Sequence, residues 1–191
     1  MKIRVEPLTC RNCDYPLNGF EDDLFWECEN CGATWSWNEE GLKREPFLVP
    51  VSTPSREGLF YLPFYLFRFR DNDFYIPAYR MGLVTPKMNL SYAFSIERKE
   101  HLSFEKASFG WGVRVPAKEM LPLLQAYILL FYDKEISRKK AARMKYRICG
   151  MPCILEGNEI TDQVWGYRMS VYCVDRLDEY RDLYRKFFNN T

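Results

Sequence analysis

Hydrophobic and polar residues alternate with a period of two over several stretches of this chain, the signature of strands half-buried on one face. Met88, Leu90, Tyr92, Phe94 and Ile96 interleave with Asn89, Ser91, Ala93 and Ser95. Phe109, Trp111, Val113 and Val115 interleave with Gly110, Gly112 and Arg114, and Trp165, Tyr167, Met169, Val171 and Cys173 with Gly166, Arg168, Ser170 and Tyr172. Gly157-Asn158 is placed to turn a strand containing Ile154 and Leu155 back toward the last of these. Phe60-Tyr-Leu-Pro63-Phe-Tyr65 is echoed by Phe74-Tyr-Ile-Pro77-Ala-Tyr79, with Asp71-Asn72-Asp73 as the turn between them. The two read as an antiparallel pair, each proline at an edge or bulge because it has no N–H to give a ladder.

Two stretches shift to the helical period. Residues 117–133 follow Pro116 and set Met120, Leu123, Leu124, Tyr127, Ile128 and Phe131 at helical spacing, which predicts a mostly buried helix. Residues about 175–188 place Leu177, Tyr180, Tyr184 and Phe187 on one face and balanced charges on the other. Residues 59–191 therefore predict an α+β domain: an antiparallel sheet, one central buried helix and a C-terminal amphipathic helix that docks on the sheet. Residues 41–58, punctuated by Pro46, Pro50, Pro54 and Gly58, read as a linker in which Val49 and Val51 supply at most a short edge strand.

Ahead of that linker lies the strongest local signal. Cys10-Arg-Asn-Cys13 is repeated, after a spacer of fourteen residues, as Cys28-Glu-Asn-Cys31. Two thiolates three positions apart fit one tight turn and bind one ion together, and a second such turn completes a tetrahedron of sulfurs. Gly32 suits the positive φ wanted after the second cysteine; Asp14 holds the same place after the first pair, a departure from Cys-x-x-Cys-Gly, though Asp visits the left-handed region more readily than most residues. Leu17-Asn18-Gly19-Phe20 carries a hairpin signal, and Leu24, Phe25 and Trp26 lead into the second pair as a short strand.

Over residues 8–38 this resembles a zinc ribbon, the expected domain being 1–40. The resemblance implies a structural Zn²⁺ on Cys10, Cys13, Cys28 and Cys31 with no open coordination position. A similar four-cysteine arrangement holds iron in rubredoxin-like electron carriers, and spacing alone does not choose between Zn²⁺ and Fe.

Composition changes the picture in three respects. The chain has 191 residues, 28% charged and 47% hydrophobic, which bounds it to one core and a small satellite. Seven cysteines, four of them committed to the ion, do not make a disulfide framework, and Met1-Lys-Ile-Arg-Val-Glu-Pro lacks the apolar core of a signal peptide. With no apolar run of transmembrane length, the expected setting is the cytoplasm. Finally, a net charge of +1 hides an asymmetry. Residues 10–45 carry nine acidic side chains, to which a Zn(Cys)₄ centre adds about two negative charges, so the ribbon repels a phosphate backbone. Lys134, Arg138, Lys139, Lys140, Arg143, Lys145 and Arg147 instead form a basic run interrupted by Glu135 alone.

Catalytic chemistry finds no support among these residues. His101 is the only histidine and sits in a charged stretch, Glu97-Arg-Lys-Glu-His-Leu-Ser, with no accompanying motif. No glycine-rich phosphate loop or dinucleotide fingerprint is present, so no small-molecule cofactor is indicated. Cys149-Gly-Met-Pro-Cys153, with Cys173, could form a redox pair or a second metal site, but reads better as buried free thiols. On strand parity Tyr65, Phe67 and Phe69 share one face and Arg68 and Arg70 the other, which separates rings from cations and disfavours a single-strand nucleic-acid platform. The expectation is a non-catalytic adaptor or structural subunit of a larger protein assembly, with Tyr61, Tyr65, Arg68, Arg70, Tyr79 and Arg80 as partner-binding candidates. The alternatives are an RNA- or DNA-associated factor working through the basic run, and electron transfer through a Cys₄ iron.

Overall fold

Three short strands follow the first cysteine pair in the computed structural model, which describes residues 8–17, 22–38, 41–51, 53, 56–82, 89–98, 101–107, 112–178 and 181. The strands β1 (Phe25–Glu27), β2 (Thr34–Asn38) and β3 (Gly41–Arg44) form an antiparallel meander, with Trp26 opposite Trp35 and Trp37 opposite Leu42. Cys10, Leu17, Trp26, Cys28, Ala33, Trp35 and Leu42 make a small core under it. The Asn18–Phe20 hairpin signal lies outside the described residues.

The 41–58 segment is more than a linker. Its first strand, β3, closes the small sheet, and β4 (Phe47–Pro50) enters a large one with all four residues buried. Only Glu45 and Pro46 separate the two strands. Alternation explains why β4 is held: Phe47 and Val49 point into one hydrophobic core and Leu48 into another.

The large sheet continues with β5 (Phe60–Phe69), β6 (Asn72–Pro77), β7 (Phe104–Lys106), β8 (Tyr146–Glu156), β9 (Glu159–Asp162) and β10 (Arg168–Ser170). The long strand β8 pairs antiparallel with β5 from Phe60↔Cys153 to Phe67↔Tyr146, and β5 pairs on its other side with β6. The opposite edge of β8 carries β4 beside Ile148 and Cys149 and β9 from Cys153 onward; β7 and β10 flank these. The β4–β8 pair is parallel, so the sheet is mixed and not wholly antiparallel as its local hairpins suggest. Long sequence separation permits this, because a parallel pair needs a crossover that the chain between β4 and β8 supplies.

Both faces of this sheet are buried. Phe60, Leu62, Phe64 and Leu66 face one core with Tyr75, Cys149, Met151 and Cys153, while Tyr65 and Phe67 face the other with Phe74, Ile76 and Ile148. The second face is covered by a 3₁₀ turn (Ala117–Met120) leading into α2 (Leu121–Tyr132), through Met120, Leu121, Leu124, Tyr127 and Ile128, as the helical period predicts. A short helix α3 (Arg138–Ala142), capped by the Ser137 side chain, buries Ala141 on the same side.

The first face is covered by a helix where a strand is expected. Residues 90–97 form α1 (Leu90–Tyr92), capped by the Asn89 side chain, continuing as a π-helical turn (Ala93–Glu97). The period of two arises there because the small partners in the alternation are buried too. Ser95 Oγ accepts from the Tyr75 N–H at 2.8 Å, and Ser91 Oγ donates to the Tyr75 carbonyl. Among the described strands β6 pairs only with β5, so its outward backbone groups need such partners, and the two serines supply them at Tyr75.

Other sequence expectations shift in register. Gly112–Val115 is irregular backbone, held by hydrogen bonds from the Arg114 and Val115 amides to the Ala78 carbonyl, and Phe109–Trp111 lies outside the described residues. The strand expected over 165–173 shortens to β10 and ends in a 3₁₀ turn at Val171–Cys173. The β5–β6 turn is Arg70-Asp71, with Arg70 at φ 53°, so Arg70 leaves the strand and does not share a face with Arg68. Pro63 lies in an interior strand but just past the end of the β5–β6 ladder: its carbonyl accepts from Ala78 N, and its missing N–H faces that same side, where the strand is locally an edge as expected. Gly157 turns β8 into β9 as expected. Most of the helix expected over 175–188 lies outside the described residues.

The small sheet is fastened to the large one by apolar and charged contacts. Phe25 is fully buried, its ring 5.6 Å from that of Phe47, and Leu24 N donates to Val113 O at 2.7 Å. Beside them Arg114 is buried with its Nε 3.4 Å from Asp23 and 3.7 Å from Asp22, while Arg176 reaches Asp22 at 2.9 Å. Losing one member of a buried charge pair costs more than the pair gains, so Arg114→Met is expected to lower stability by about 3 kcal/mol in chemical denaturation by removing the cation beside buried Asp23. Gly150 sits against Phe47, whose ring lies 2.6 Å from where a Cβ would stand. Gly150→Val is expected to overpack the interior and cost about 2 kcal/mol in the same measurement.

Candidate metal centre

Each cysteine pair folds as the same turn. Asp14 N donates to Cys10 O and Gly32 N to Cys28 O, both at 2.8 Å, while Cys10 N donates to Tyr15 O and Cys28 N to Ala33 O. The closing residue needs positive φ in both: Gly32 lies at 65° and Asp14 at 57°. Asp14 thus fills the glycine place with a side chain that tolerates the left-handed region.

Stacked against one another, the turns bring the four Sγ atoms within 4.8 Å of each other. Cys10 and Cys31 approach to 3.6 Å and Cys13 and Cys28 to 3.5 Å. A tetrahedral ion about 2.3 Å from each thiolate requires sulfur–sulfur edges of about 3.8 Å, so the cluster has the dimensions of a metal site. Among the described residues this is the only group of three or more His, Cys, Asp or Glu ligand atoms so disposed.

A second layer is also paired across the two turns. The Asn12 side chain, with the Ala33 N–H, holds the Cys31 thiol down to about 6. Symmetrically, the Asn30 side chain and the Tyr15 N–H lower Cys13. Cys28 is fully buried, and that burial pushes its thiol up to about 12 against the N–H groups of Cys31 and Asn30. A bound cation offsets such a desolvation cost, since coordination deprotonates a thiol outright. The third residue of each Cys-x-x-Cys thus stands beside a thiol of the opposite pair, which ligand spacing alone does not reveal; the repeated Asn is its signal.

The other sequence candidates fall elsewhere. Tyr65 and Tyr79 are core residues at 3% and 0% exposure, their hydroxyls bonded to Val115 O and Asn89 Oδ1, so neither stands out from the surface as a partner-binding side chain. Both faces of the sheet are covered, which is why their composition misleads. Tyr61 is half-buried against Gly150. Arg68 is bound through Nε and Nη2 to both oxygens of Asp73, and Arg70 lies over the Tyr132 ring at 4.9 Å. Arg80 is exposed, 3.7 Å from Asp22.

The basic run remains exposed at all seven cations. Lys140 lies over Phe69 and Arg147 over Phe104, while Asp22 and Asp23 meet Arg80, Arg114 and Arg176.

His101 is not solitary. Its Nδ1 lies 3.0 Å from Asp73 Oδ2, and although burial raises the Asp73 carboxyl, the hydrogen bonds from Arg68 and His101 hold it below the ordinary carboxylate range. Asp73 and His101 are far apart in sequence, so no motif announces the pair. Cys149, Cys153 and Cys173 are buried, and desolvation pushes all three thiols up, which makes them poor nucleophiles.

No family model matches the chain, and no curated protein or solved structure matches it either.

Groups that orient metal ligands are worth roughly tenfold or more in affinity. Asn12→Ala and Asn30→Ala are each expected to weaken metal binding about tenfold, read by competition with a chromophoric chelator, with the fold of the large sheet unchanged by circular dichroism.

Proposed function

We propose that the protein is a non-catalytic structural zinc protein that serves as an adaptor subunit of a larger protein assembly. The observation that carries this reading is the convergence of Cys10, Cys13, Cys28 and Cys31 into one four-sulfur cluster. Four thiolates fill a tetrahedral ion's coordination and leave no position for water or substrate, so the ion's work is to hold the fold. Zn²⁺ suits that work because it has no redox chemistry and no geometric preference against the tetrahedron.

What the ion holds is a module that exposes two large aromatic side chains. Trp37 is 50% exposed and Tyr15 42%, both in the segment that the two cysteine turns organise. Exposed aromatic side chains on a rigid support are the anchors that protein interfaces favour. The closed site and this surface together support an interaction role over a chemical one. A nucleic-acid role draws on a separate observation, the seven exposed cations of the 134–147 run, which suit an anionic partner of either kind.

Elemental analysis of the purified protein is expected to give one zinc per chain and a colourless solution; a coloured protein with iron would sink the zinc assignment. Native mass spectrometry after affinity purification from the host, with nuclease treatment at moderate salt, is expected to retain a stoichiometric protein partner. Loss of every associate on nuclease treatment would replace the adaptor reading with the nucleic-acid one.

A further inference from the structure

A groove of about 660 Å³ opens where the metal module meets the large sheet. Leu24 and Trp37 of the module line it together with Ala142 and Met144, in and just after α3. Phe67 and Tyr146 lie in its floor, the two rings 5.4 Å apart. Its size is that of a site which encloses one or two large side chains or a small ligand.

The part of the lining that contains Ala142 and Met144 belongs to the basic run. Arg138 and Lys139 precede Ala142 by four and three positions, which places them beside it on the helix, and Arg143 lies between the two lining residues. All three cations are exposed and meet no partner among the described residues. Lys118 adds a cation on the α2 side of the groove. Glu45 and Glu119 also act on the floor residue Tyr65, so the field is mixed near the floor and positive along the α3 rim.

We infer that this groove binds an acidic segment of a partner protein, an apolar side chain of the segment entering the groove while flanking carboxylates meet Arg138, Lys139 and Arg143. The inference rests on the adaptor reading and gives its partner a chemistry. A single nucleic-acid strand fits less well, because stacking needs ring faces open to the bases. Phe67 is 1% exposed, and Trp37 alone offers a face. The metal module that also lines the groove is moreover acidic, and a continuous phosphate chain would meet it, whereas a peptide can keep its carboxylates on the α3 side.

The test is selection of random phage-displayed peptides on the full-length protein, followed by titration of the enriched peptides in synthetic form, read by the fluorescence of a dye on the peptide. Enriched sequences are expected to carry an aromatic or large aliphatic residue flanked by Asp or Glu, and to bind more weakly as salt rises. Ala142→Glu, at an exposed position of α3, is expected to weaken them at least about tenfold by opposing the carboxylates. Trp37→Ala, which removes an exposed side chain of the module from the lining, is expected to act in the same direction.

Enrichment without acidic bias, equal affinity for both variants, or displacement of the peptide by single-stranded oligouridylate would each overturn the inference. The adaptor reading is tested apart from it: if Ala142→Glu and Trp37→Ala proteins, folded as wild type by thermal melt, retain the stoichiometric partner in native mass spectrometry, the groove assignment fails and the adaptor reading stands.

Discussion

The constraint on which this structure depends is that the β5–β8 pair has two apolar faces and must cover both. Phe64 and Leu66 on one face, and Tyr65 and Phe67 on the other, are each at most 3% exposed. Burying such side chains contributes about 2–3 kcal/mol apiece, far more than any local propensity along the same residues, so the packing of the layers governs the conformation of what covers them. Each remaining element can be understood as a cover. α2 and α3 close one face; α1, its π-helical extension and the β9–β10 region close the other.

The metal module belongs to that arrangement and is not an appendage. Phe25 emerges from β1 into the same core as Phe47, Phe67 and Ile128, so part of the large sheet's cover is supplied by a strand that the second cysteine pair terminates. The polar contacts agree in direction. Asp22 and Asp23 lead into β1 and meet arginines from three separate parts of the large domain, Arg80, Arg114 and Arg176. An ion bound to the four sulfurs would therefore stabilise more than its own loop, because the strand it anchors is shared between the two cores.

Legibility in the sequence followed the range of the interactions involved. The cysteine turns were readable because a chelating turn is local and its spacing is dictated by sulfur–metal geometry. The buried helix at 121–132 and the two hairpins were likewise set by neighbours in the chain, though the first turns at Arg70-Asp71 and not at Asp71-Asn72-Asp73. The helix at 90–97 was not readable, since Ser91 and Ser95 occupy polar positions of an alternating pattern while serving the Tyr75 backbone of a distant strand edge. Tyr65 and Tyr79 differ from expectation for a related reason: an aromatic beside an arginine suggests an interface only if one face of the sheet is open. Asp73 with His101, and Asp23 with Arg114, join residues that no local pattern connects.

This distribution of charge also bears on where a partner can dock. The acidic groups of the metal module that face the large domain are spent on arginines there, which fixes the module's orientation and leaves them little attraction for anything outside. The cations of 134–147 are exposed, and α3, which carries Arg138, Lys139 and Lys140, buries only Ala141. Maintaining like charges side by side on a short helix costs stability, and nothing in the packing of Ala141 against the core requires it. A surface that carries such a cost without a structural return is best explained by a binding partner that offsets it. The groove beside that helix supplies the apolar complement, so in the proposed docking mode the charge and the cavity are two parts of one interface.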